Sequence, residues 1–354
     1  MKRHFLAAAS EGFAAPPLLI EPIGEQFILQ WKHSDLSDYG VSFISAGAEY
    51  VDREEICSSL TRFVNAVISR LEDEGVKGSF LQEEWKAILA TPREEAEFSA
   101  MAGRLGCDPC SLDPAQQNAI LRASGMLSRG VADEFFASAE LQTLEDQASA
   151  LNALISKAQA MELQMRPLKV LRERGIQFES GKAPWEQGYL AAREVRKALN
   201  MDGQIVGSVA RIGELIGVNP KEWEAASQGT ISGITNVDAV VATTRGGAPY
   251  FTVRHSMPTV RSFAICRALF EYLAWPKEAA GLVVNTHSER QKRNRAFAAE
   301  FLAPAEKLRE TIHGRTVSDD DIQEIADSFD VAPHVIRHQI QNHRLASVGT
   351  WPEQ

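Results

Sequence analysis

Cysteine is scarce in this chain. Its 354 residues include four cysteines, which are too few and too unevenly spread to cross-link a chain of this size. This scarcity favours a reducing, intracellular environment, and we expect no structural disulfides. Cys107 and Cys110 have the spacing of a redox or zinc motif, but no further ligands accompany them. The simpler interpretation is that Cys107 ends a helix as a small apolar residue, with a turn at Asp108 and Pro109.

Long apolar runs are also lacking. No stretch reaches the roughly 18 apolar residues that a membrane-spanning helix needs. The start, Met1 to Ala9, faintly resembles a secretory leader, but Ser10 and Glu11 interrupt the apolar stretch before it reaches the usual length. We therefore expect a cytoplasmic protein without a membrane partner.

Positive charge is the third feature in short supply. The chain has 37 Lys and Arg against 47 Asp and Glu, which gives a formal net charge of −10. Because phosphate binding depends on concentrated positive charge, the molecule as a whole is a poor nucleic-acid binder, and any such role must be local. The hydrophobic fraction of 44% is sufficient for a substantial core.

The apolar pattern divides the chain into four segments. Residues 1–140 predict a mainly helical N-terminal domain, and residues 141–180 predict a connecting helix and linker. Residues 181–315 mix helices with β-rich stretches, and residues 316–354 predict a pair of helices. The sequence contains no internal repeat.

Few strands are expected. One short strand is predicted at Glu25 to Trp31 in the first segment. In the third segment, Gly229 to Asp238, Ala239 to Thr244 and Pro249 to Val253 predict a small antiparallel sheet of three strands. Because these strands follow one another without crossover helices between them, the predicted fold class is α+β.

A helix predicted over Thr259 to Trp275 is apolar on nearly every face, apart from Arg267 and Glu271. A helix of this kind is buried. Its two charges are four residues apart and therefore lie one turn from each other, which predicts an ion pair. Buried charges need such partners.

The segment around this helix carries an ordered set of motifs. Tyr250 to Val253 predicts a strand, Ser262 and Phe263 precede the helix, and Phe297 to Pro304 ends a second helix with the sequence Phe-Ala-Ala-Glu-Phe-Leu-Ala-Pro. This order resembles the ImmA/IrrE family of zinc metallopeptidases, more loosely in the flanks, over about half of the chain. The resemblance implies that residues 181–315 form a zincin-like metallopeptidase-type domain and that the C-terminal pair is helix-turn-helix-like.

The resemblance implies a zinc site, but its residues are replaced here. In the family, a His-Glu-x-x-His helix supplies two zinc ligands and a general base, and a later Glu supplies the third ligand. The positions of the two histidines hold Arg267 and Glu271, the base position holds Ala268, and the third ligand position holds Gln291. A guanidinium cannot ligate zinc, and alanine cannot accept a proton. We therefore expect no catalytic residues and no cofactor, with an Arg267–Glu271 pair in place of the metal.

A rescued zinc site is the alternative at this position. His255, Glu271, His287 and Glu289 are the candidate ligands, because they lie on the segments that would surround the pocket. The register of the third position is also open, since Arg290 takes it if a different residue anchors the second helix.

The leading prediction of function is a catalytically inactive pseudopeptidase. The resemblance implies a regulatory or protein-binding module in stress or mobile-element regulation that recognises a protein or peptide segment. Its docking surface would be an edge strand formed by Tyr250, Phe251, Thr252 and Val253, since peptides add to sheet edges. An active metal-dependent endopeptidase that cleaves a repressor through a non-standard site is the alternative.

A third possibility is a transcription regulator that binds DNA through its C-terminal helices. Arg337, His338 and Arg344 are the side chains that could reach bases or phosphates, whereas the same helices also fit a packing role. The basic run from Arg290 to Arg295 likewise has two interpretations: a surface for an acidic partner or phosphate, or a solvated helix end.

Overall fold

The computed structural model describes residues 5–9, 14–23, 26–36, 40–179, 181–312, 314 and 316–348. Residues 1–4 together with Ser10 and Glu11, on which the comparison with a secretory leader depends, lie outside the described residues. The contacts divide the chain into two units, residues 1–96 with 179–183 and residues 97–178 with 184–354. The division therefore falls well before the predicted boundary at residue 140.

The first unit contains more strand than predicted. Its strands are β1 (Leu18–Ile23), β2 (Gln26–Trp31), β3 (Ser34–Leu36), β4 (Val41–Phe43) and β5 (Gly47–Asp52). Strands β1, β2 and β5 form an antiparallel sheet in that order, and β3 pairs with β4. The predicted strand corresponds to β2, but the mainly helical prediction missed the other four. Their side chains are mostly exposed or half-buried, so they lack the alternation that reveals a strand.

Helices follow this sheet. Helix α1 (Arg53–Asp73) packs on β2 and β5, and α2 (Phe80–Ala90) begins at a capping box formed by Ser79 and Gln82. Helix α3 (Arg93–Arg104) runs into the second unit. All three lie in the segment that was predicted to be mainly helical. After α3, a 3-10 turn spans Pro109–Ser111, where Asp108 accepts a hydrogen bond from the Cys110 amide, so the turn predicted there is confirmed.

The second unit is built around one sheet. Its strands are β6 (Gly229–Thr230), β7 (Val237–Thr243), β8 (Pro249–Val253) and β9 (Ala280–Val284), in the order β6-β8-β7-β9. Strand β7 is antiparallel to β8 and β9, whereas β6 is parallel to β8. Three antiparallel strands were predicted, and the antiparallel pairing of β7 with β8 is confirmed. The predicted strand Gly229 to Asp238 is wrong in length and direction, because only Gly229–Thr230 forms β6, which is parallel to β8. Strand β9 was missed because all five of its residues are buried, and such a run shows no alternation.

Twelve helices are described in the remainder of this unit. They are α4 (Pro114–Met126), α5 (Arg129–Phe136), α6 (Leu144–Gln159), α7 (Arg166–Arg174), α8 (Pro184–Ala198), α9 (Val209–Ile216), α10 (Pro220–Ser227), α11 (Pro258–Ala274), α12 (Glu289–Leu302), α13 (Ala305–Thr311), α14 (Asp319–Phe329) and α15 (Pro333–Asn342). Two short strands, β10 (Thr316–Val317) and β11 (Ser347–Val348), pair in parallel. The unit therefore mixes helices and strands, as the α+β prediction required.

The sheet of the second unit is covered on both faces. Ala239 and Val241 of β7 belong to one apolar core with α11, whereas Val240 and Ala242 belong to a second core with α4, α5 and α6. Residues 141–180 were predicted to be a connector. They instead contribute Leu144, a fully buried residue of α6, to the second core, because a helix with a continuous apolar stripe gains more from packing on the sheet than from exposure.

Membrane insertion finds no support in the helices. Among the described residues, no helix combines the length and the apolar composition that crossing a membrane requires.

Helices α8 and α12 pack closely at Gly188. A β-carbon at position 188 would overlap the carbonyl oxygen of Arg293 and lie 2.8 Å from Cβ of Ala296. We expect Gly188→Ala to lower the free energy of unfolding by about 1–3 kcal/mol, since the two helices must separate. Gly125 of α4 has open space around it, so Gly125→Ala should be neutral or stabilising by up to about 1 kcal/mol. Urea unfolding of both variants checks this, and equal effects would contradict it.

Candidate functional site: a buried polar cluster

Five polar side chains meet where α11 and α12 approach the sheet. Arg267 and Glu271 come from α11, and Arg290, Gln291 and Asn294 come from α12; we call these five the polar cluster. All but Arg290 are almost completely buried, and the Arg290 side chain is 13% exposed. Helix α11 approaches the sheet this closely because β9 has a glycine, Gly281, next to Glu271, where a β-carbon would lie only 2.8 Å from Cβ of Glu271.

Arg267 uses its whole guanidinium. Its Nε donates to Oδ1 of Asn294 at 2.9 Å, and one terminal nitrogen donates both to the Val284 carbonyl at 2.7 Å and to Oε1 of Gln291 at 2.8 Å. The other terminal nitrogen lies 3.3 Å from Oδ2 of Asp238, a half-buried carboxylate at the beginning of β7. This buried cation is therefore fully hydrogen-bonded, as a buried charge must be.

Glu271 pairs with a cation on the facing helix. Its Oε2 accepts from Nε of Arg290 at 2.5 Å, and its Oε1 accepts from the Asn294 amide at 2.8 Å. Among the described residues no ion pair joins Arg267 to Glu271, so the predicted direct pair is wrong. Asn294 bridges them instead, because its carbonyl accepts from Arg267 while its amide donates to Glu271. Arg267 and Glu271 each bond to residues of α12, which lie closer to them than the two side chains lie to each other.

Arg290 joins the polar cluster to a second carboxylate. Its terminal nitrogens donate to both oxygens of Glu278, at 3.2 and 2.9 Å, and its guanidinium lies 5.0 Å from the centre of the Trp275 ring. Two carboxylates thus share one arginine, and the stacked ring excludes water on one side.

Gln291 closes the open edge of the sheet. Strand β9 is last in the sheet order, and its outward groups are the Leu282 carbonyl and the Val284 amide. The Gln291 side chain donates to the first at 3.0 Å and accepts from the second at 3.1 Å, as a neighbouring strand would. The position that the resemblance aligns with the third zinc ligand is thus occupied by a side chain that completes the sheet.

Burial and charge act against each other in the polar cluster. Burial, reinforced by nearby Arg295, lowers the pKa of the Arg267 guanidinium to about 10. Burial also raises the pKa of Glu271, although the charge of Arg290 and the hydrogen bonds from Asn294 and Arg290 partly offset that effect. For Arg290, burial is outweighed by the two carboxylates, which raise its pKa above the ordinary arginine value. Arg290 therefore stays charged, and it is the cation that neutralises Glu271.

These residues do not fit a zinc site. Arg267 carries a guanidinium, Ala268 is fully buried without a proton acceptor, and both oxygens of Glu271 already accept hydrogen bonds. Within the described part of the chain, no three His, Cys, Asp or Glu side chains are grouped as a metal ion would need. The polar cluster is therefore bonded as a packing network, with hydrogen bonds at the positions that the resemblance aligns with the family's metal ligands.

The candidate ligands for a rescued site lie apart. His255 is half-exposed, with its Nε2 3.4 Å from Oδ1 of Asp238, and His287 is exposed. Glu289 is buried and pairs with Arg293 at 2.9 Å, one helical turn along α12. Glu271 is the only one of the four candidates within the polar cluster.

The basic run on α12 is not solvated along its length. Arg293 is buried, donates to Gln187 of α8 at 2.6 Å and lies over the Phe178 ring at 5.1 Å. Arg290 is almost buried as well, so the interpretation of a solvated helix end is wrong for both arginines. Lys292 points away from them and is half-buried.

Strand β8 is not the free edge that the docking prediction required. Thr252 and Val253 pair with β6 on one side, and the whole strand pairs with β7 on the other. Phe251, Thr252 and Val253 are buried, whereas Tyr250 is half-buried. The prediction of peptide addition along Tyr250 to Val253 is therefore wrong, because the backbone groups at Thr252 and Val253 already have partners in the sheet.

The C-terminal helices pack into the core of the second unit. Ile336 and Ile340 of α15 are fully buried in the same core as α11. Arg337 forms an ion pair with Asp319 at 2.5 Å, His338 is exposed, and Arg344 is exposed in the turn after α15. Arg337, one of the three candidate DNA contacts, is therefore already paired with a carboxylate of the chain.

A second buried carboxylate, Glu300, fastens α12 to its neighbours. Its side chain is 2% exposed and accepts from Arg193 at 2.8 Å and from Gln339 at 2.8 Å, and the His343 imidazole lies 3.3 Å away. Burial alone would raise the pKa of Glu300, but the contacts with His343, Arg193 and Gln339 outweigh burial and hold the pKa below its ordinary value. Sequence reasoning did not single out Glu300. The available signal was a charged residue inside the apolar Phe-Ala-Ala-Glu-Phe-Leu ending of the helix.

Asn294 and Asp238 were also missed as members of the network. The polar stripe at positions 290, 291 and 294 of a helix with an apolar ending could have indicated a buried polar contact.

Comparisons with known proteins find no relative of this chain: no protein-family model matches it, and a search of the curated proteins returns no match to its sequence.

Proposed function

We propose that this chain is a non-catalytic relative of the ImmA/IrrE zinc metallopeptidases and acts as a protein-binding regulatory module. In this proposal the second unit is zincin-like, and α14 with α15 is the helix-turn-helix-like pair of the family. The observation that carries the proposal is the polar cluster: of the residues aligned with the two histidines and the third ligand, Arg267 and Gln291 bond to each other and to the sheet edge, and Glu271 bonds to Asn294.

Hydrolysis needs groups that the polar cluster does not offer. A peptidase of this type requires a metal-bound water and a base that accepts its proton, and each contributes orders of magnitude to the rate. Here the position of the base is a buried alanine, and the carboxylate of Glu271 is neutralised by Arg290. The second unit nevertheless remains folded and has surfaces for recognition, which supports binding without cleavage.

Zinc content and proteolysis test the non-catalytic part of the proposal. The purified full chain, exposed to zinc and then desalted, is expected to retain far less than one zinc per chain, and a partner protein incubated with it is expected to remain intact. Stoichiometric zinc that is lost in Glu271→Ala, or chelator-sensitive cleavage of the partner, would contradict the proposal.

A variant with the family residues restored tests the resemblance itself. We expect the combination Arg267→His, Ala268→Glu, Glu271→His and Gln291→Glu to bind about one zinc per chain, because two imidazoles at i and i+4 and a carboxylate on α12 then face the same space. Circular dichroism confirms that the variant is folded. A folded variant without zinc affinity would count against the family relationship, whatever the wild type does.

A further inference from the structure

A groove on the second unit lies between α8, α11, α12 and α15. Its volume is about 450 Å³, which is enough for a few side chains of a ligand. We call it the α15 groove, and it is lined by Trp185, Tyr189, Phe263, Lys292, Arg295, Ala296, Ala299, His334, Val335, His338, Gln339 and Asn342.

The α15 groove is cationic in an acidic protein. Lys292 and Arg295 contribute two positive charges, and His334 and His338 add two imidazoles, whereas no Asp or Glu occurs among the described residues that line it. The chain as a whole has a net charge of −10. A local site of this sign, in a molecule of the opposite sign, attracts an anionic group to one place.

Its two cations have no carboxylate partner within the described part of the chain. Arg295 is half-buried and donates to the Thr286 carbonyl at 2.6 Å, and no ion pair to it or to Lys292 occurs among the described residues. Burial lowers the pKa of Arg295 even though the charges of Glu134 and Asp238 raise it. An anion placed beside these cations would therefore supply charge compensation without displacing an existing ion pair.

Aromatic side chains form the rest of the wall. Trp185 is 40% exposed, which is unusual for so large an apolar side chain, and Phe263 meets the His334 ring edge-on at 6.5 Å. Tyr189 is held in place by a hydrogen bond of 2.8 Å from Asn342. Tryptophan, tyrosine and arginine are the residues in which protein-recognition hot spots are enriched.

We propose that the α15 groove binds a short acidic segment of a partner protein. A carboxylate of the segment lies at Lys292 and Arg295, and a neighbouring apolar or aromatic side chain packs against Trp185 and Phe263. This inference rests on the proposed protein-binding function and names the partner's chemistry. A peptide with a few carboxylates fits better than a nucleic acid, because every nucleotide outside the groove would bring a further phosphate to face a protein of net charge −10.

The direct test uses a capped hexapeptide of sequence Glu-Phe-Glu-Leu-Glu-Phe and a matched peptide with Gln in place of each Glu. Both are titrated into the full chain while the indole N–H signal of Trp185 is followed by NMR, with Trp185→Phe identifying that signal. We expect the acidic peptide to shift the signal saturably and to bind at least about tenfold more tightly than the Gln peptide. Equal affinities would overturn the proposal.

A pair of charge reversals locates the contact. Lys292→Glu is expected to weaken binding of the acidic peptide by about tenfold or more, whereas Lys221→Glu, the same change at an exposed position on α10, should leave it unchanged. Equal effects of the two variants would overturn the assignment to the groove. Tighter binding of a single-stranded oligothymidylate than of the acidic peptide would also overturn it and would indicate a nucleic-acid site.

The outcomes separate this inference from the proposed function. If the chain neither binds zinc nor cleaves its partner, and also does not bind the acidic peptide, the proposed function stands and the groove assignment is wrong. If the chain binds the peptide at Lys292 but shows chelator-sensitive cleavage, the groove assignment stands and the non-catalytic proposal is wrong.

Discussion

Replacing Arg267 by alanine is expected to lower the free energy of unfolding by about 3–5 kcal/mol, the largest effect of any single change proposed for this chain. Its guanidinium satisfies the Val284 carbonyl and the side-chain oxygens of Gln291 and Asn294, all of them buried. Removal would leave these acceptors short of donors and open a cavity between α11 and the sheet. Urea unfolding followed by tryptophan fluorescence measures the loss.

The matched control is Arg211→Ala. Arg211 also forms an ion pair with a carboxylate, Glu214 at 2.8 Å, but both side chains are about half exposed. Exposed pairs contribute roughly 0–1 kcal/mol, because water screens the charges. If Arg267→Ala lost no more stability than Arg211→Ala, the polar cluster would not be the buried, fully bonded network that the structure describes.

Glu300→Gln is expected to cost about 2–3 kcal/mol at neutral pH and progressively less as the solution is made acidic. The variant keeps the shape of the side chain but loses the charge that accepts from Arg193 and lies beside His343. Because the pKa of Glu300 is held below its ordinary value in the folded chain, its contribution is complete above the unfolded pKa of about 4.3 and is lost as the pH falls through the folded pKa.

The measurement is therefore a comparison of unfolding free energies for wild type and Glu300→Gln from pH 7 down to pH 3. The two curves should draw together as the pH falls below the unfolded pKa of about 4.3 and through the lower folded pKa of Glu300. Glu310→Gln, which removes an exposed carboxylate paired with Lys307, should change little over the same range. A constant difference between wild type and Glu300→Gln at all pH values would show that the charge of Glu300 is not what fastens α12.

Local sequence signals predicted helix α11 to within one residue at both ends, whereas helices α7, α10 and α13 of the same unit were not predicted. Helix α14 also carries local signals, since it begins after the Ser318–Asp321 capping box and is followed by Asp330, whose backbone is left-handed. Caps and apolar periodicity are properties of neighbouring residues, so they can be read without knowing the fold.

Local sequence signals did not predict contacts between residues that are far apart in the sequence. Strand β9 is covered on both faces and shows no alternation, and only the first two residues of the predicted strand Gly229 to Asp238 form β6. The same limit applies to the candidate site: Arg267 and Glu271 are helical neighbours, and their spacing predicted a pair. Their partners Asn294 and Arg290 are 27 and 19 residues away, and only the packing of α12 on α11 brings them within reach.

By itself, the sequence determined an α+β chain with a buried helix that carries two charges, and its resemblance to a metallopeptidase family aligned Arg267, Glu271 and Gln291 with that family's metal ligands and Ala268 with its base. The tertiary structure alone decided that α4 to α6 cover the sheet, that β8 is not a free edge, and that Gln291 closes the edge of β9. The physical reason is that helix formation depends on contacts within a few residues, whereas the bonding of a buried charge or a strand edge depends on whichever groups the packed chain places beside it.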